Sequence, residues 1–331
     1  MTLREVVLAA LKENNGEWIS GEALSEKLNV SRTTVWKQIK TLQAEGYEVD
    51  SSPKKGYRLS APPDLLSALE VGPGLTTRVF GREHYIYYLE TDSTNNRARD
   101  LAAAGYPEGT VVVAEKQSAG RGRRGRNWYS PASQGIYLSM IMRPVLPLNE
   151  ISRISLVIAV AVAETLEAEL NMPARIKWPN DILVNGKKIV GILTEAVTDM
   201  DGVEYIVTGI GININNQGSD FPDQFRTPAT SVLAEKNVPV SRIKVLQGLL
   251  ARLELLYFQF LKDGFGPILA KGRSLSMVIG QEVRLDTVNG FLEGQAVDID
   301  DNGFLQVRDR QGAVHRVMSG EINIVPSLPP G

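Results

Sequence analysis

The chain has 331 residues, 43% apolar and 22% charged, and its 36 basic and 38 acidic side chains leave a net charge of −2. That balance suits two or three domains with real cores, and it excludes disordered or fibrous architectures and any whole-molecule field that would draw the protein onto nucleic acid or membrane. With no cysteine and only His84 and His315, thiolate nucleophiles, disulfides and cysteine zinc sites are excluded, and imidazole metal sites nearly so.

The longest apolar run, Leu156 to Ala163, is far shorter than the roughly 20 residues of a membrane-spanning helix. The opening Met1-Thr2-Leu3-Arg4-Glu5 lacks a signal-peptide layout. A cytoplasmic protein that does not engage membranes is expected.

Leu3 to Lys12 carries apolar residues at helical spacing, Ser20 is an N-cap for a second short helix, and Ser31 opens a third that runs to about Ala44. In the third helix Val35, Ile39 and Leu42 form a buried stripe and turn Arg32, Thr33, Lys37 and Lys40 outward, while Trp36 is expected to pack against the second helix rather than to read bases. Tyr47-Glu-Val-Asp and Gly56-Tyr-Arg-Leu alternate like paired strands, and the turn between them projects Lys54 and Lys55. Residues 1–31 hold three bases and five acids, whereas Arg32 to Arg58 hold six bases and three acids. Three helices and a basic hairpin predict a winged helix-turn-helix over residues 1–62.

Residues 63–272 predict a central α/β domain. After a connector over Leu65 to Thr77, strands are expected at Tyr85–Glu90, Thr110–Lys116, Gly135–Met142, Ala174–Trp178, Ile189–Val197 and Glu204–Ile214. Helices are expected at Ser93–Ala104, Ile151–Leu170 and Ser241–Leu261. Asn185-Gly186 is a hairpin turn, which makes the sheet mixed. Short strands punctuated by Asn289-Gly290, Asn302-Gly303 and Gln311-Gly312 predict a small SH3-like β-barrel over 273–327. The fold class is therefore a multidomain α+β chain.

Chemistry concentrates in a few segments. Gly120-Arg-Gly-Arg-Arg-Gly-Arg126 joins pliable backbone to guanidinium groups that grip phosphate oxygens in pairs. A solvated or RNA-binding charge run is the other reading, but the loop ends a buried strand and does not lie in a tail. Ser93-Thr94-Asn95-Asn96 opens a helix and offers more polar groups than one cap needs. Lys177-Trp-Pro-Asn180-Asp181, with Lys188 seven residues on, sets a carboxylate and two ammonium groups around one hairpin, although Pro-Asn-Asp is equally a turn signal. Gly209-Ile-Gly211-Ile-Asn213 suggests close approach of a ligand or of backbone.

Taken in this order, Thr91-Asp-Ser-Thr-Asn, Gly120-Arg-Gly-Arg-Arg-Gly-Arg, Lys177-Trp-Pro-Asn-Asp, Lys188-Ile-Val-Gly-Ile and Gly209-Ile-Gly-Ile-Asn resemble the motifs of the biotin protein ligases. With a winged helix-turn-helix ahead and a small barrel behind, the chain is similar over nearly its whole length to the bifunctional bacterial form, biotin operon repressor and biotin–[acetyl-CoA-carboxylase] ligase in one polypeptide. The resemblance implies an enzyme that uses ATP and Mg2+ to make biotinyl-5'-AMP and passes biotin to a lysine of a biotin carboxyl carrier protein. It implies that Ser93, Thr94, Asn95, Gln117, Arg121, Gly122, Arg123 and Lys188 hold biotin. Lys188 is then the first catalytic candidate, with Arg123 and Asp181 beside it. Arg123, Arg126, Trp128, Lys177, Asn180 and Asn213 are implied in nucleotide binding, and Asp181 in binding magnesium or orienting a lysine.

The resemblance also implies an adenylate-loaded homodimer that represses transcription by binding operator DNA. Arg32, Thr33, Thr34, Lys37 and Lys40 would enter or flank the major groove, with Lys54 and Lys55 on phosphate. The arginine–glycine loop is expected to act as a lid that keeps water from the mixed anhydride, and Gln217 to Pro228, with Phe221 and Pro222, as a second lid over adenine. Three other readings stay open at this point: a ligase with a non-regulatory helix-turn-helix, a biotin-sensing transcription factor without catalysis, and a lipoate-type acyl ligase.

Overall fold

The computed structural model describes residues 2–60, 64–147, 150–198, 202–221, 228–287 and 290–325. The chain divides into two compact units, Met1–Pro73 and Gly74–Gly331. Among the described residues no helix is long and apolar enough to cross a membrane.

The first unit begins with helices α1 (Leu3–Glu13), α2 (Gly21–Leu28) and α3 (Arg32–Ala44). Each starts on a hydroxyl cap, Thr2, Ser20 or Ser31, whose oxygen accepts a backbone N–H of the first turn. Asn29 closes α2 in the left-handed region at φ 51°, a conformation that asparagine tolerates and that turns the chain sharply into α3. Val7, Leu11, Leu24, Val35, Ile39 and Leu42 form the core. Strands β1 (Val49–Ser52) and β2 (Gly56–Leu59) pair antiparallel as the hairpin behind α3. Helix, helix, helix, hairpin is the expected winged helix-turn-helix.

Trp36 departs from expectation. It is 49% exposed, because helical geometry sets it about 100° round the axis from Val35 and off the buried stripe. The unit also runs past residue 62. Tyr47 Oη lies 3.0 Å from Ser67 Oγ and donates to Glu70 Oε1 at 2.9 Å, and Lys12 Nζ donates to Glu70 at 2.7 Å, so helix α4 (Ala68–Val71) belongs to it. The proline pair Pro62-Pro63, where the sequence divides the chain, lies outside the described residues.

The second unit is built on a seven-stranded sheet of β3 (Tyr85–Thr91), β4 (Val111–Gln117), β5 (Gly135–Met142), β6 (Arg175–Lys177), β7 (Asp181–Val184), β8 (Lys187–Thr198) and β9 (Val203–Asn213), in the order β3-β4-β5-β9-β8-β7-β6. Only β3 and β4 run parallel; the other pairs are antiparallel, so the sheet is mixed as the Asn185-Gly186 turn predicts. Helix α5 (Thr94–Ala103) packs on β4, β5 and β9, and α6 (Ile151–Leu170), buried through its middle, packs on α8 (Arg242–Asp263) and on β8. Helices α7 (Val232–Lys236) and α9 (Gly266–Leu275) lie outside the helices expected from the sequence.

The chain ends in a five-stranded antiparallel sheet of β10 (Glu282–Thr287), β11 (Gly290–Ile299), β12 (Leu305–Arg308), β13 (Val314–Val317) and β14 (Glu321–Ile324). The last strand returns beside the first. This sheet is fixed to the larger one by named bonds. Trp178 Nε1 donates to the Gly303 carbonyl at 3.0 Å, and Arg273 makes two 2.7 Å bonds to the Asp298 carboxylate. Trp178 of the Lys-Trp-Pro-Asn-Asp segment is therefore a buried structural anchor.

A buried ion pair joins α8 to β4. Arg242 Nη1 donates to Glu115 Oε2 at 2.8 Å and to the Gly135 carbonyl at 3.0 Å, with both side chains almost fully covered. Removing one partner of such a pair strands a charge and costs about 3–5 kcal/mol. Arg242→Met is therefore expected to lower the unfolding transition of the second unit by that order in urea titration. A loss below about 1 kcal/mol would contradict the role given to the pair.

Candidate active site

The site lies on the α5 face of the sheet, where register selects the side chains. Ser139 on β5 pairs with Gly209 on β9, which pairs with Leu193 on β8; Gly211 pairs with Gly191, and Val207 with Glu195. Because alternate residues share a face, Ser139, Gly209, Gly211, Gly191, Leu193 and Glu195 all look the same way. A bulge adds Lys188 to them. Two steps on β8, from Val190 to Lys188, oppose one step on β7, from Ile182 to Leu183. The extra residue, Ile189, reverses the alternation and re-aims Lys188 toward the site.

The glycines are required by close approach. A Cβ on Gly209 would lie 1.9 Å from Asn95 Oδ1, and one on Gly211 would lie 2.3 Å from Trp128 Nε1. Gly191 is equally tight, since its Cβ would fall 2.8 Å from Trp128 Cζ3. The facing pair Gly191 and Gly211 is thus a patch of bare backbone on which the Trp128 indole lies. Lys188 Nζ sits over that ring, 5.4 Å from its centroid, and the buried indole N–H has no hydrogen-bond acceptor among the described residues.

On one side of Trp128 is a narrow cavity of ≈ 450 Å³. Ser93, Thr94, Asn95, Gln117, Arg121, Gly122, Arg123 and Lys188, the full set drawn from the sequence, line it. Its polar groups are already ordered. Gln117 Oε1 accepts from the Thr94 N–H at 2.8 Å and Gln117 Nε2 donates to Ser130 Oγ at 2.9 Å. The Asn95 amide is locked by Ser139 Oγ, which donates to its oxygen at 2.6 Å, and by Glu195 Oε2, which accepts from its nitrogen at 3.0 Å. Ser93 is buried and caps α5 with its backbone only, which leaves its hydroxyl free of capping.

On the other side a cleft of ≈ 1660 Å³ opens between the loop and β14. Arg123, Arg126, Trp128, Lys177, Asn180 and Asn213 line it, with Asp181, Lys188 and Phe221. The two spaces share Gly122, Arg123, Trp128, Asn180 and Lys188. Lys188 Nζ is 2.7 Å from Asp181 Oδ1. Burial lowers the Lys177 ammonium and the Arg123 guanidinium from their ordinary ranges, with the Asp181 charge opposing the shift in both. The Lys188 backbone is held on both sides by the returning chain, donating to the Pro228 carbonyl at 2.7 Å and accepting from the Thr230 N–H at 2.9 Å. Asn213 spends its amide donor on the Thr230 carbonyl at 2.9 Å. Pro222, with half of the segment read as a second lid, lies outside the described residues.

The arginine–glycine loop is tied down at several points. Its ends close through the Trp128 N–H to Gly120 carbonyl bond at 2.8 Å, and a Cβ on Gly120 would sit 2.4 Å from the Trp128 carbonyl. Arg121 grips Glu195 with two bonds of 2.7 and 3.1 Å and also meets Asn96 Oδ1 at 3.0 Å. Arg123 donates to Asn180 Oδ1 at 2.9 Å, Arg124 to the Asp286 carbonyl at 3.2 Å, and Arg126 pairs with Glu321. Ser130, Ser139, Glu195 and Glu321 escape the motif reading. A lone carboxylate within the apolar strand Ile189–Val197 was the available signal for Glu195.

The residues read as DNA-facing lie in the first unit. Arg32, Thr33, Lys37, Lys40, Lys54 and Lys55 are exposed, whereas Thr34 is half-buried with its hydroxyl 2.8 Å from the Ser31 cap. Lys55 Nζ lies 5.7 Å from the centroid of the Trp18 ring.

Comparison with known proteins agrees with this arrangement. Residues 87–213 match the Biotin/lipoate A/B protein ligase family, residues 4–58 an HTH domain family, and residues 278–324 the Biotin protein ligase C terminal domain family. Among solved structures, a biotin protein ligase from Aquifex aeolicus in complex with biotin and ATP superposes with a TM-score of 0.64 at 30% identity, over 74% of this chain and 100% of that one. The bifunctional ligase/repressor BirA of Bacillus subtilis (strain 168) is 42% identical over 98% of this chain and 99% of its own length, and that of Escherichia coli (strain K12) is 32% identical over 94% of each. The chain belongs to the biotin protein ligase family, in its bifunctional ligase/repressor branch.

The Glu195 clamp makes a prediction about the loop. Glu195→Gln exchanges a bidentate ion pair with Arg121 for neutral hydrogen bonding, a loss of about 1 kcal/mol. Trypsin is expected to cut the loop at its arginines about fivefold faster in this variant; an unchanged rate would show that the clamp does not hold the loop.

Proposed function

We propose that this protein activates biotin with ATP and transfers it to a lysine of a biotin carboxyl carrier protein, and that Lys188 stands at the reacting centre. The observation that carries this reading is the junction at Lys188 and Trp128, where a small polar cavity opens into a cationic cleft large enough for a nucleotide. Thr94 and Gln117 offer donors and acceptors to the ureido ring, with the Ser93 hydroxyl beside them. The apolar part of biotin lies along Trp128 and the glycine-paved strands.

A carboxylate oxygen of biotin attacks the α-phosphorus of ATP, the bridge to the β-phosphate breaks, and pyrophosphate leaves. The Lys188 ammonium, oriented by Asp181, offsets charge on the attacking oxygen and on the α-phosphate, a stabilisation that grows toward the transition state. Arg123, Arg126 and Lys177 hold phosphate oxygens and Asn180 fixes Arg123. In the second step the neutral amine of the carrier lysine attacks the biotinyl carbonyl, the bond to AMP breaks, and the amine releases a proton. No enzyme nucleophile is needed, consistent with a chain that has no cysteine.

Magnesium fits this site as an ion bound with the nucleotide. Mg2+ takes one or two carboxylates beside phosphate oxygens and water. Among the described residues no group of three acidic or histidine side chains forms a metal cage; Asp181, beside Lys188, and Glu321, paired with Arg126, are the carboxylates that line the cleft. The ion supplies neutralisation of the phosphates when bound.

The same reading assigns the first unit, Met1–Pro73, to operator DNA and the second to catalysis, with its terminal sheet closing the nucleotide cleft, in a cytoplasmic protein that dimerises when loaded with the adenylate. Carrier protein and a second protomer then compete for the loaded monomer, so that repression reports biotin demand.

Incubation with ATP, magnesium ions, biotin and a carrier domain is expected to add one biotinyl group to the carrier in intact-mass measurement, and an unmodified carrier would overturn the ligase reading. Lys188→Ala is expected to fold normally and to lose about 10²–10³-fold in biotin-dependent pyrophosphate release, the scale of removing one preorganised stabilising group. Undiminished release would remove Lys188 from the centre.

A further inference from the structure

Trp36 serves neither the core of the first unit nor any of the phosphate contacts assigned above. Half of its surface is exposed on α3, and among the described residues its ring has no aromatic or cationic partner. Trp18 differs in this respect, since Lys55 Nζ and Arg58 Cζ lie 5.7 and 4.9 Å from its ring centroid. Residues three and four apart share a helix face, so Trp36 stands in one row with Thr33 and Lys40 and borders Lys37. Val35, Ile39 and Leu42, about a quarter-turn round the helix from Trp36, face the core.

Of the exposed cations of the same helix, Arg32 and Lys40 lie four residues before and after Trp36 on its face, and Lys37 follows it in the chain. An apolar plate in a cationic frame suits a polyanion that also presents an apolar group. The major groove of DNA is such a surface, because thymine projects its 5-methyl group there among hydrogen-bonding base edges. The position fits as well, since the early turns of the second helix of a helix-turn-helix are those that meet base edges. We propose that Trp36 is a specificity-determining residue that packs on a thymine methyl in the operator. This rests on the repressor reading above and deepens it by naming a base and a group on that base.

The test begins with selection of duplexes from a random pool by the full-length protein with biotin, ATP and magnesium ions. Each thymine of the selected motif is then replaced singly by deoxyuridine, which removes the methyl and nothing else. Burying one such group is worth about fourfold in Kd. Wild-type protein is expected to bind one of these duplexes about fourfold more weakly than its thymine parent. Trp36→Ala is expected to bind the two forms equally, and Trp36→Phe to keep a preference for thymine. Indifference of the wild type to every deoxyuridine overturns the proposal without reference to any variant, and so does full discrimination by a folded Trp36→Ala. Failure of the wild type to select any motif overturns the repressor reading itself, and the proposal with it.

Discussion

Two glycines that face each other across β8 and β9, Gly191 and Gly211, leave a stretch of sheet with no side chains on one face. A Cβ at either position would overlap the Trp128 ring. Much of the site follows from that vacancy. The indole can lie flat on backbone, the arginine–glycine loop that carries it can fold back over the sheet, and the bulge at Ile189 can bring Lys188 across the ring. Gly209 extends the same logic by one pair, where its missing side chain admits Asn95 and lets α5 close one wall of the cavity.

Charge is arranged on this frame with some economy. Arg121, Arg123 and Arg126 already meet Glu195, Asn180 and Glu321, so each arginine in the loop is oriented before a ligand arrives. Preorganised charge stabilises a developing transition state without a reorganisation cost at the moment of reaction. The same contacts link separate parts of the chain. Glu321 belongs to the terminal sheet and Asn180 to the β6–β7 turn, while the Pro228–Thr230 segment clasps the Lys188 backbone from the far side. The cleft is therefore walled by groups drawn from separate regions of the sequence.

Much of this was legible before the structure. Hydroxyl caps and the Val35, Ile39, Leu42 stripe marked the helices of the first unit, and Asn185-Gly186 marked the antiparallel half of the sheet. The motif segments carried the site, because glycine and arginine in one loop or a carboxylate between two lysines are local patterns. What stayed hidden is relational. Ser139 and Glu195 reach the site only through cross-strand register, and Glu321 comes from the far end of the chain. Lys188 faces the cavity because of a bulge that no propensity announces. Trp36 was misplaced because large aromatic residues usually seek cores, and here the stripe of Val35, Ile39 and Leu42 had already filled that face. Trp178 shows the converse, a motif tryptophan whose N–H is used to anchor the terminal sheet.

The central claim is that one lysine, raised over a tryptophan on bare backbone, sits where two substrates meet. A crystal structure with biotin and a non-hydrolysable ATP analogue tests it most directly. The account predicts the ureido ring near Thr94 and Gln117, the phosphates among Arg123, Arg126 and Lys177, and the biotin carboxylate and α-phosphate both within hydrogen-bond reach of Lys188 Nζ. A biotin carboxylate directed away from Lys188, or a nucleotide bound outside the cationic cleft, would contradict it.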